Sequence, residues 1–256
     1  DGDDFIDAAF LKHLLDASDR GASDLTVAGK LFCDRFPPDK IPALPTCGIF
    51  LRREFPLKNN LEFPEGIHPC EDGLFSHFVL ALTEKISFCP EAVYHYRQHE
   101  QGNHHQIRKR TADILPMIPR WLSLIEEFYE QRHLWKRKAG HLVRFIEHEP
   151  FELRLLGMPF SPPEQEILYS IIRDFLNAHC TAAECRRASL HLPFRLLLKS
   201  SGFSDFGRRL RRAGKNTGIR RKLLHFCPVP SWRRNGRAQL RQVREQLEEI
   251  RRNITF

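Results

Sequence analysis

The sequence predicts an α/β first part followed by a mainly α-helical remainder, on three observations. From Asp1 to about Gln106, short apolar runs alternate with Pro, Gly and Asn punctuation, the texture of mixed strands and helices. Beyond Arg108 long helical patterns take over, with apolar residues three and four apart, and strand signals disappear. The two ends also differ in charge: residues 186–256 hold 19 Lys and Arg against 4 Asp and Glu, net +15, whereas the first 185 hold 21 against 28, net −7. Three regions are expected on these grounds: 1–107 as an α/β segment, 108–185 as a helical region and 186–256 as a basic helical tail.

Within the first region the pattern predicts a helix at roughly Ile6 to Ala17 and a short strand over Thr46–Leu51. Leu74, Phe75, Phe78, Val79 and Leu82 recur at helical spacing, which predicts a helix starting after Glu71 and Asp72. Ile86–Cys89 and Ala92–Arg97 read as two extended segments broken at Pro90. Further on, helices are expected over Ile114–Arg137, His141–Glu147 and Pro162–His179, then a set of shorter basic helices, with Gln239–Arg252 closing the chain. Ser161-Pro162-Pro163-Glu164 is a good helix start, with a capping hydroxyl, proline in the first turn and an early carboxylate.

The chain has 256 residues and 41% apolar content, enough for a real core. It has no run of eighteen apolar residues and no basic-then-apolar start, so no membrane-spanning or export segment is expected. Its seven cysteines are scattered, with no CxxC pair and no histidines at zinc-finger spacing. Reduced thiols and a cytoplasmic setting, peripheral to the inner face of a membrane, are the expectation. Opening on Asp1 rather than Met, the chain reads as a fragment.

Three constellations have the residue types that chemistry needs. Asp1, Asp3 and Asp4 surround Gly2 just before an apolar stretch. They suit either an acidic helix-capping turn or a divalent-cation site, since clustered carboxylates give Mg²⁺ or Mn²⁺ hard oxygen ligands. A calcium hand is disfavoured, because Phe5, Ile6, Ala8 and Ala9 occupy the stretch where it needs oxygen ligands. Glu71 and Asp72 begin a helix, either as ordinary capping acids or as a general base that the helix amides keep ionised. Tyr94-His95-Tyr96-Arg97-Gln98-His99 ends an extended segment. Alternation puts His95, Arg97 and His99 on one face, either a solvated edge or a pair of cationic groups aimed at an anion.

In this order, DGDD, then CGIFLRREFPLKNNLEFPEGIHPCEDGLFSHF, then YHYRQH, the first region resembles the back half of family 2 glycosyltransferases of the GT-A fold. The resemblance implies a truncated, Rossmann-like GT-A half-domain over residues 1–107. It implies that Asp1, Asp3 and Asp4 hold a divalent metal (Mn or Mg), with Asp1 also on the nucleotide sugar. Asp72 would be the catalytic base, Glu71 would position the acceptor, and Arg97 and His99 would face the diphosphate. The implied reaction is inverting transfer from a nucleotide diphosphate sugar to a glycan or lipid-linked acceptor, as in cell-surface polysaccharide synthesis. The front of that domain should precede Asp1, so the chain alone is expected to be inactive.

In the tail, Arg208-Arg209-Leu210-Arg211-Arg212, Arg220-Arg221-Lys222 and Trp232-Arg233-Arg234 interleave cations with apolar residues. An anionic membrane surface is the expected partner of 186–256, with the apolar residues entering the interface. Nucleic acid is not expected, since no reader motif occurs. The rival reading is a non-catalytic membrane-surface binding or assembly module whose acidic motifs only cap helices.

Overall fold

The computed structural model describes residues 4–97 and 110–223, together with Arg241 and Glu245; side chains after Asn216 in the last helix are not described. Over these residues the protein is α/β and mostly helical, with two small sheets. The chain divides into two compact units, Asp1–Glu149 and Pro150–Phe256.

The first unit is built on a three-stranded sheet. Strand β2 (Leu25–Ala28) lies at its centre, antiparallel to β3 (Ile49–Leu51) and parallel to β4 (Ile86–Cys89). All four residues of β2 are buried, so it lacks the polar alternation that marks a half-exposed strand, which is why the sequence pattern missed it. Thr26 is reconciled to burial by a 3.1 Å hydroxyl contact with Ser23. Helix α1 (Phe10–Gly21) crosses this sheet; a Cβ at Gly21 would fall 2.0 Å from Ser87 Oγ, so only glycine allows the helix end so close to β4. Two short helices, α2 (Lys30–Arg35) and α3 (Glu54–Lys58), flank β3 in sequence.

Helix α1 starts four residues later than the expected Ile6, because Phe5 and Ile6 form strand β1 and pair antiparallel with β5 (Tyr94–His95). Long-range pairing there overrides the apolar helical pattern. Likewise Thr46–Gly48 is a 3₁₀ turn, and only Ile49–Leu51 of the expected strand is extended. Ile86–Cys89 and Tyr94–His95 are extended on either side of Pro90, as the pattern predicts.

Helix α4 (Glu71–Leu82) runs through the interior, buried continuously from Gly73 to Ala81. It packs on α5 (Thr111–Gln131) and α6 (Trp135–Ile146). These two replace the single expected helix Ile114–Arg137. The break is a Schellman turn: His133 takes φ +53°, its N–H bonds Glu130 O, and Leu134 N–H bonds Tyr129 O. No glycine marks it, so no local stop signal announces the break. The expected His141–Glu147 helix is the end of α6, which continues into a π-helical stretch, Glu147–Leu156.

His77 sits at the centre of this packing with no exposed surface. Its Nδ1–H donates to Pro42 O at 3.1 Å, Tyr129 OH donates to its Nε2 at 3.1 Å, and its own carbonyl accepts from His141 Nε2 at 3.1 Å. The two imidazoles stack 4.2 Å apart. Burial pushes both histidines well down the pH scale, His141 to about 3, with the Arg144 cation adding to the effect on each.

The regular elements among the second unit's described residues are all helical, and after the π-helical stretch they are α7 (Pro162–His179), α8 (Ala182–Ala188), α9 (Leu192–Lys199) and α10 (Phe203–Leu223). The expected start and end of α7 hold, and Glu164 Oε2 accepts from the Ser161 N–H at 2.7 Å. A second capping box, Thr181 with Glu184, starts α8. The core gathers Phe151, Phe194, Leu197, Phe206, Leu168 and Ile172. Arg173 closes the end of α9 by donating to the carbonyls of Leu197 and Leu198. The expected closing helix Gln239–Arg252 lies outside the described residues except at Arg241 and Glu245, both helical. Six cysteines are free thiols, and Cys227 lies outside the described residues. No helix among the described residues is long and apolar enough to cross a membrane.

Candidate functional site

The start of α4 is not an ordinary helix cap. The preceding residue, Cys70, takes φ +90° and offers no side-chain cap, so the first-turn amides depend on the acids that follow. Asp72 Oδ1 accepts the Gly73 N–H at 2.7 Å. A Cβ at Gly73 would fall 3.0 Å from Cys70 Sγ and 3.2 Å from Glu149 Oε1, so glycine here lets a second acid lie against the first turn.

Glu149 is buried and comes from the π-helical stretch, far along the chain. Sequence reasoning passed over it because it lies in a helical pattern with no local motif. Glu71, half-exposed, faces His68 instead, with Oε1 at 3.4 Å from Nδ1.

Burial raises the Asp72 carboxyl above its ordinary range. The Gly73 and Thr46 amides pull it back down, while the charges of Glu149 and Glu71 add to the rise. This corrects the expectation that helix amides set the balance: the amides are in place, but desolvation and neighbouring carboxylates outweigh them. For a general base the direction is useful, because a carboxylate with a raised pKa takes a proton more readily.

The DGDD segment reaches the same neighbourhood. Cys47, in the 3₁₀ turn, has its thiol raised first by burial, and the charges acting on it include both Asp72 and Asp4. Asp4 is also tied to the YHYR segment: Oδ2 accepts from Tyr94 OH at 2.7 Å and Oδ1 from the Arg97 N–H at 2.9 Å. Asp4 and Arg97, 93 residues apart, are thus joined directly, and Asp72 is linked to Asp4 only in that the charges of both reach the Cys47 thiol.

The β1–β5 ribbon explains how. With Phe5 opposite His95, the outer face carries His95 stacked on the Phe5 ring at 4.3 Å and the Arg97 guanidinium 5.7 Å from the same ring. Tyr94 turns to the other face and packs against Phe10 and the core around Leu14 and Ala28. The alternation read from the sequence therefore holds for His95 and Arg97, whereas His99 lies outside the described residues.

Asp1 and Asp3 also lie outside them. Among the described residues no three His, Cys, Asp or Glu side chains are grouped to hold a metal ion. Asp4 supplies hard oxygen at this corner, and both its oxygens already accept a hydrogen bond.

Compared with known proteins, the chain matches no family model and no curated sequence.

Proposed function

We propose that the first unit carries the acceptor-side and metal-side groups of an inverting, metal-dependent glycosyltransferase of family 2 with a GT-A, Rossmann-like fold. It would move a sugar from a nucleotide diphosphate sugar to a glycan or lipid-linked acceptor, in keeping with cell-surface polysaccharide synthesis. The observation that carries this reading is the tie of Asp4 to the YHYR segment, through Tyr94 OH and the Arg97 N–H, and the charges of both Asp4 and Asp72 reach the Cys47 thiol. A small sheet with one parallel pair, covered by α1 and followed by the interior helix α4, is in keeping with it.

In the proposed reaction Asp72 takes the proton of the acceptor hydroxyl. The acceptor oxygen forms its bond to the anomeric carbon as the bond from that carbon to the diphosphate oxygen breaks, and the configuration inverts. Glu149 and burial keep Asp72 basic, and Glu71 positions the acceptor from the exposed side of the same helix start. Asp1, Asp3 and Asp4 would hold the Mn²⁺ or Mg²⁺, which when bound offsets the negative charge on the departing diphosphate. Arg97, just beyond the β1–β5 ribbon, and His99 would face that diphosphate.

Titration calorimetry with Mn²⁺ and inorganic diphosphate tests the reading without requiring turnover. Diphosphate should bind only with Mn²⁺ present, binding should be lost in Asp3→Asn and it should persist in Asp72→Asn. No Mn²⁺-dependent binding by the unsubstituted chain, or equal loss in both variants, contradicts the assignment.

A further inference from the structure

We propose that the outward face of α10 docks on an anionic membrane surface through charge alone, without inserting the helix's apolar side chains. This inference concerns the second unit and does not rest on the transferase reading. Two stripes of the same helical period run along α10. Phe203, Phe206, Gly207 and Leu210, at i, i+3, i+4 and i+7, are buried. Arg208, Arg211, Arg212 and Lys215, at the same spacing, are exposed on the opposite side.

The apolar stripe is already committed. The Phe206 ring lies 5.9 Å from Tyr169 and 6.1 Å from Phe151, and Phe203 lies 5.8 Å from Tyr169. The expectation that these apolar residues enter a bilayer interface is therefore corrected for this helix: they hold α10 to its own unit, and the face left outward is cationic.

Within α10 itself acid is scarce. Asp205 is the single acid of α10, and it is turned back along the helix: Arg209 Nε donates to Oδ2 at 2.7 Å and the Ser201 N–H to the same oxygen at 3.1 Å. Arg208 makes a longer contact, 3.3 Å, to its other oxygen. Arg212 and Lys215 lie beyond its reach in sequence. A straight stripe of cations on a helix fixed by its other side complements a flat anionic surface, where each cation strengthens binding about fivefold (about 1 kcal/mol).

Vesicle sedimentation of the full chain tests this, using phosphatidylcholine vesicles with and without phosphatidylserine, and duplex DNA as a competing polyanion. The chain should bind only the phosphatidylserine vesicles, and added salt should release it. Arg212→Gln/Lys215→Gln should weaken binding by about 25-fold, from two cations at about fivefold each. Lys136→Gln/Arg137→Gln, which removes two exposed cations from α6 in the first unit, should leave binding unchanged. Binding without phosphatidylserine, retention in high salt, equal loss in the two variants, or DNA outcompeting the vesicles would each overturn the proposal. Circular dichroism of both variants checks that each remains folded.

Discussion

Helices α4 and α8 both carry an acid in the first turn, yet their carboxylates respond in opposite directions. Glu184 of α8 closes a capping box in solvent, and its bonds to the Thr181 hydroxyl and N–H hold it below the usual carboxylate range. Asp72 of α4 also accepts an amide, but burial and two neighbouring acids raise it. Capping explains the first completely. For Asp72 it leaves a half-buried acid whose charge works against the stability of its own surroundings, a feature the proposed role as base would account for.

The largest effect should come from the interior of α4, where burial is most complete. His77→Ala removes a ring stacked on His141 together with its hydrogen bonds to the Tyr129 hydroxyl and the Pro42 carbonyl. A loss of about 3–5 kcal/mol in urea unfolding is expected. A loss under 1 kcal/mol would show that α4 is not the packed centre described here.

Acid should expose the same contrast. His77 and His141 have folded-state pKa values depressed below their unfolded value of 6.5. Their neutral forms are therefore favoured by folding, and stability is full above about pH 6.5. It is lost as the pH falls from there toward the folded value of about 3 for His141. Arg144 and Lys138, both cationic, disfavour a further charge beside them. Urea midpoints measured from pH 8 down to pH 5 should fall below pH 6.5 in the unsubstituted chain, and should fall less steeply in His77→Leu, where only His141 still titrates in this pair.

Gly73→Ala sharpens the comparison at the helix start itself. The new Cβ crowds Cys70 Sγ and Glu149 Oε1, and overpacking of this kind outweighs alanine's better helix propensity by about 1 kcal/mol. Displacing Glu149 should also lower the Asp72 pKa, read by carboxyl NMR. An unchanged Asp72 pKa would remove Glu149 from the site.

Local signals made much of the helical frame legible. Ser161 and Glu164 announced α7, and the spacing of Leu74, Phe75, Phe78 and Val79 announced α4. What stayed hidden depended on distant partners. Phe5 and Ile6 are strand because Tyr94 and His95 lie beside them, β2 is too short and too uniformly buried to show a period, and His133 ends α5 without a glycine. In the site the split is the same: Glu71, Asp72, Asp4 and Arg97 stood out by motif, whereas Glu149 reaches Asp72 only through the fold.

A matched pair of charge removals tests most directly whether Asp72 is a burdened acid or a cap. Asp72→Asn and Glu184→Gln each neutralise a first-turn carboxylate without changing its shape, and urea unfolding at pH 7 reads both. Asp72→Asn should leave stability level or raised, because its charge is unfavourable where it sits, while Glu184→Gln should lower it slightly. Destabilisation by Asp72→Asn equal to or greater than that by Glu184→Gln would make Asp72 a cap like the other and contradict its assignment as the base.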